Sequence, residues 1–92
     1  MNSSTKKSLT SAQIRAARAL IRWSAEDLAR TSSVGLTTIR RAELSIAETS
    51  LTAANNLAIR SALESAGVEF IDENGGGPGV RLRKSAKENP DE

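Results

Sequence analysis

Ninety-two residues, 38% of them hydrophobic, suffice for one small core, and because Trp23 and Phe70 are the only aromatics, aliphatic side chains and alanine must fill it. The absence of cysteine and histidine removes disulfides, thiolate chemistry and the commonest acid–base group and metal ligand, so a non-enzymatic protein without metal or cofactor is expected. The net charge of +2 understates a basic bias, since Glu88, Asp91 and Glu92 are concentrated at the C-terminal end. No segment approaches membrane-spanning length and no apolar stretch follows the lysines of MNSSTKKSL, which makes a cytoplasmic location the expectation.

Residues 1–9 read as a flexible arm. Thr10 followed by Gln13 is a capping-box pattern, and the helix it opens turns Ile14, Ala17, Leu20 and Ile21 inward until Trp23. Ser24 can cap a second helix beginning AEDLAR, with Glu26 and Asp27 at its positive end. That helix stops near Thr31, and Ser32, Ser33, Val34 and Gly35 break the pattern. Leu36, Ile39 and Ala42 then fall on one side of a third helix, for which Gly35 is the cap. Ala29 is small where the second and third helices cross. A fourth helix begins near Ser50 or Thr52, with Ala54, Leu57, Ala58, Ala62, Leu63 and Ala66 recurring at three and four residues and Gly67 as its stop.

After Gly67 the pattern changes, because Val68-Glu69-Phe70-Ile71 and Val80-Arg81-Leu82-Arg83 are β-prone runs separated by DENGGGPG. They predict a hairpin over residues 68–83, with Val68, Phe70, Val80 and Leu82 on its apolar face and Glu69 opposite Arg81 or Arg83 on the other. Such a hairpin is marginal alone, so it either packs on its own helices or joins a second copy, and both remain open on sequence. GGGPG lacks the lysine and Ser/Thr of a phosphate-binding loop. Residues 84–92 read as a disordered tail.

The run SAEDLARTSSVGLTTIRRAEL, two short helices joined by a tight turn, is a helix-turn-helix pattern, and within it LARTSSVGLTTIRRAE resembles the central segment of the Xre/Cro family of phage-repressor-type DNA-binding domains. The likeness extends over about Thr10 to Ala66, with Ile14, Ile21 and Trp23 at matching apolar positions. It implies a mainly α fold: a four-helix, lambda-repressor-like helix-turn-helix domain over residues 10–67, followed by the hairpin. It also implies an ion pair between Arg18 and Glu43. Three positions depart from the family: Ser33 replaces the usual turn glycine, Ala25 replaces a phosphate-binding glutamine, and the loop LSIAETS has no basic residue.

If DNA is the partner, the start of the third helix faces the major groove and brings Leu36, Thr37, Arg40 and Arg41 toward base edges. Arg40 can donate two hydrogen bonds to guanine, while Leu36 and the Thr37 methyl can meet a thymine methyl. Arg22, Ser24 and Thr38 are placed for phosphates, with Lys6 and Lys7 trailing along the backbone. The expected function is a sequence-specific transcriptional regulator binding double-stranded operator DNA as a homodimer on an inverted repeat, autoregulated and without a small-molecule effector. Repression and activation are not separable on sequence. The alternative is a protein-interaction module, anti-activator or antitoxin-like, that grips a partner through Leu36 and the hairpin. Glu26 and Asp27 as an acid–base pair is the weakest reading, since helix-start electrostatics account for both.

Overall fold

The computed structural model describes residues 8–45 and 51–84, which form four helices and a two-stranded antiparallel hairpin: α1 (Ser11–Ile21), α2 (Ala25–Ser32), α3 (Leu36–Leu44), α4 (Ala53–Ser65), β1 (Val68–Ile71) and β2 (Gly79–Leu82). Lys6, Lys7 and the tail beyond Lys84 lie outside the described residues. Among those described, no helix is long and apolar enough to cross a membrane.

Local chemistry sets the first two helix starts. Thr10 accepts the Gln13 N–H at 3.0 Å while the Gln13 side chain accepts the Thr10 N–H at 2.9 Å, closing the capping box. Ser24 and Asp27 repeat the arrangement on α2, with both bonds at 2.9 Å. The Ser24 backbone N–H, then the Arg30 guanidinium and the Ser24 hydroxyl, hold the Asp27 carboxyl below its usual range. That cap is therefore complete above the ordinary aspartate pKa and weakens only as the pH falls through the lowered one.

Between α2 and α3 the chain turns through Ser33, whose φ of 63° and ψ of 24° are left-handed. Glycine adopts that conformation without the Cβ clash that serine meets. Ser33→Gly should stabilise the domain by about 0.5 kcal/mol, the relief of roughly 1 kcal/mol being partly offset by a freer unfolded chain. Thermal unfolding should register this as a rise of about 2–4 °C.

The core gathers Ile14 and Ala17 of α1, Leu28 of α2, Ile39 and Ala42 of α3, Ile59, Ala62 and Leu63 of α4, and Val68 and Phe70 of β1. Leu9, assigned to the arm on sequence, is buried too, and its N–H donates to Asn56 Oδ1 at 2.9 Å. Leu9 and Ile14 flank the capping box at the spacing of a hydrophobic staple, so the ordered domain begins before Thr10.

Two other expectations change: Leu20 of α1, read as turned inward, is 39% exposed, and α4 buries a different face from the one its apolar period marks. The buried side of α4 carries Asn56, Ile59, Arg60 and Leu63, whereas Ala54 is exposed and Leu57 is 60% exposed. Two polar residues take the inner face because each has partners there: Asn56 holds Leu9, and Arg60 reaches Glu64 at 3.2 Å and Asp72 at 3.9 Å with its guanidinium 5.1 Å from the Phe70 ring centre. For the hairpin, one of the two placements left open on sequence is the one seen. Gly67, at φ 110°, reverses the chain so that β1 lies against α4 and both strands contact α1. Val68 and Phe70, candidates for a dimer interface under the other placement, are consequently buried within their own subunit, while Val80 is half-buried and Leu82 is 54% exposed. The register pairs Val68 with Leu82 and Phe70 with Val80, and Arg81 meets Glu69 at 2.9 Å on the opposite face. Gln13 Nε2 donates to the carbonyls of Gly79 at 3.1 Å and Ile71 at 3.5 Å, tying the loop end of the hairpin to α1.

Candidate nucleic-acid interface

Helix α3 is anchored from one side and bare on the other. Ile39, Ala42 and Glu43 face inward, and Thr37, Arg40, Arg41 and Leu44 occupy the exposed side, with Leu36 and Thr38 half-buried at its margins. The anchor is electrostatic as well as apolar. Arg18 of α1 grips Glu43 through two parallel bonds, Nε to Oε2 at 2.7 Å and Nη2 to Oε1 at 2.8 Å, and its Nη1 donates to the Trp23 carbonyl at 2.9 Å. The Glu43 hydrogen bonds hold the Arg18 pKa above even its ordinary value, so the guanidinium stays charged at any physiological pH. Arg15 Nη1 donates to the Glu43 carbonyl at 2.5 Å. Two arginines of α1 thereby fix the end of α3, with Arg18 itself held by the Trp23 carbonyl just before α2.

The exposed surface around α2 and α3 is partly self-neutralised. Arg30 pairs with Asp27, and Arg40 Nη2 meets Glu26 Oε2 at 2.8 Å across the α2–α3 turn, with both side chains 56% exposed. Arg22 and Arg41 have no carboxylate partner among the described residues, and Arg15 bonds only to a carbonyl. Six arginines against three carboxylates leave this region positive.

The residues singled out on sequence divide by what the structure gives them. Thr37, Arg40 and Arg41 share one exposed face, and Leu36 borders it. Ser24 spends its hydroxyl as the α2 cap. Arg22 ends α1 in a left-handed conformation with its side chain exposed, near the start of α2. Thr38 lines a pocket of about 200 Å3 with Arg41, Ala42, Leu51, Thr52 and Asn55.

Two features went unread in the sequence. Leu44 is 81% exposed on the same face as Arg40 and Arg41. The start of α4 stands beside α3: Thr52 caps the Asn55 N–H at 3.1 Å, and the first-turn N–H groups of Ala53 and Ala54 have no intrahelical acceptor. The Thr-x-x-Asn spacing of that cap was the available signal. Comparison with protein-family models and with curated proteins finds no match to this chain.

Proposed function

We propose that this chain is a helix-turn-helix DNA reader of the phage-repressor type, acting as a transcriptional regulator that binds operator DNA as a homodimer on an inverted repeat. The observation that carries the reading is the exposed face of α3, where Thr37, Arg40 and Arg41 stand together on a helix whose other side is locked to α1 through Arg18 and Glu43. A short helix presented this way suits the major groove, and its arginines suit guanine edges. Arg22 at one flank and Thr38 with the start of α4 at the other suit the phosphates on either side. A single module of this size buries little DNA surface, so two-fold symmetry is the economical route to useful affinity. Leu82 is the residue of the hairpin best placed to join two copies.

In vitro selection from random duplex DNA tests the reading. Enrichment of a two-fold motif with half-sites about 10 base pairs apart, or a multiple of that, is the expected result. No enrichment at moderate salt would favour a protein-interaction module instead. Leu44 supports that second reading, because an almost fully exposed leucine on the α3 surface is better matched to an apolar partner than to a phosphate backbone.

A further inference from the structure

The Glu26–Arg40 pair is at odds with a surface built only to attract DNA. Glu26 occupies the first turn of α2, where free N–H groups favour its negative charge, and it also lies within the field of Arg18. It is thus a carboxylate on the very face that the DNA-binding reading turns toward phosphates. Its Oε2 accepts a single hydrogen bond from Arg40 Nη2. The other edge of the Arg40 guanidinium has no partner among the described residues, so the arginine is tethered and half-neutralised without being used up.

We propose that Glu26 is a specificity-determining residue, which holds Arg40 back from DNA phosphates while leaving one edge of its guanidinium free to read a guanine. The reasoning is a competition between acceptors. On non-specific DNA, Glu26 offsets the charge that would draw Arg40 to a phosphate, and a phosphate brought to the free edge of the guanidinium also meets the Glu26 carboxylate, so a full phosphate contact requires Arg40 to leave it. A guanine edge in register carries no net charge for Glu26 to repel, and its O6 and N7 can accept from the free edge of the guanidinium, which includes the second Nη2 hydrogen, while Glu26 keeps the first. The tether therefore lowers binding to random sequence more than binding to the operator. The cytosine paired with that guanine presents its N4 amino group in the same groove, the base-edge donor best suited to the second Glu26 oxygen.

This inference rests on the DNA-binding reading, and salt dependence separates the two. Affinity of wild type, Glu26→Gln, Glu26→Ala, Arg40→Ala and the Glu26→Ala/Arg40→Ala double variant is measured for the selected operator and for random-sequence duplex across a salt series. Releasing Arg40 to a phosphate should steepen the log–log salt slope on random DNA by about 0.9 in Glu26→Ala. Non-specific affinity should rise by about two- to fivefold, the span of one exposed ion pair, and the operator-to-random ratio should fall. Glu26→Gln should lie between wild type and Glu26→Ala, since the amide keeps an acceptor but not the charge.

The double variant provides the control for simple loss of repulsion. With Arg40 absent, removing Glu26 should leave the slope at its Arg40→Ala value. The proposal is overturned if Glu26→Ala leaves the random-DNA slope unchanged, or if the slope steepens equally without Arg40. Failure of every variant, wild type included, to bind any duplex would instead remove the DNA-binding reading and this inference with it. Both residues are half-exposed, so the variants should keep the wild-type melting temperature to within a few degrees.

Discussion

Replacing Arg40 and Arg41 together by alanine should lower operator affinity by between about one and four orders of magnitude, at about 1–3 kcal/mol for each lost bidentate contact. Circular dichroism should be unchanged, because both side chains leave the exposed face of α3 and neither contributes to the core. The single variants should be unequal. Arg41→Ala removes an arginine with no carboxylate partner among the described residues, whereas Arg40→Ala also leaves Glu26 uncompensated toward the DNA. Arg40→Ala should therefore cost more. Each should relax base preference at one position of the selected motif, the behaviour of a base contact. Arg22→Ala should weaken all sequences alike and reduce the salt slope by about 0.9, the behaviour of a phosphate contact. Anisotropy titrations at several salt concentrations distinguish the two patterns. Unchanged operator binding in the double variant would mean that this face of α3 does not read DNA.

The parts of this structure that were legible in the sequence are those fixed within a few residues. The Thr10–Gln13 box, the Ser24 cap and the reversal at Gly67 each depend on a side chain or a φ angle acting over three or four positions. The face that each hairpin residue takes follows from the alternation of Val68, Phe70, Val80 and Leu82, whereas the choice of Arg81 over Arg83 opposite Glu69 needed the structure. What was misread depends on partners distant in sequence. On α4, the apolar period through Ala54 and Leu57 pointed outward because the buried Asn56 and Arg60 found partners in Leu9, Glu64 and Asp72, and hydrophobicity alone cannot register such pairing. Leu9 was lost to the arm because a lone leucine carries no period, although its position before the cap is informative once Ile14 is considered. At the candidate site, the residue types were readable but their couplings were not. Glu26 and Arg40 are fourteen positions apart, and only the crossing of α2 and α3 brings them to 2.8 Å. Leu44 falls on the open side of α3 beside Arg40 and Arg41, so apolar character gave no warning of its exposure.

Glu43→Ala should destabilise the domain by about 2–3 kcal/mol and lower its melting temperature by roughly 10–20 °C. Breaking a fully buried pair costs about 3–5 kcal/mol, and the lower figure applies because the Arg18 side chain is 22% exposed and keeps some water when its partner goes. The Trp23 carbonyl would satisfy only one of its nitrogens, leaving two donors that had been bonded to Glu43. Replacing both partners, as Arg18→Met with Glu43→Leu, should recover most of the loss, since it removes the unpaired charge along with the attraction. Denaturant melts of the two singles and the double give the coupling energy directly. A Glu43→Ala loss below about 0.5 kcal/mol would reduce the pair to an ordinary surface contact. DNA affinity in the stable double variant then isolates the pair's second role: if the bidentate geometry sets the attitude of α3, the double variant should fold yet bind operator more weakly than wild type, because two apolar side chains fill the space without fixing the angle at which Arg40 and Arg41 meet the groove.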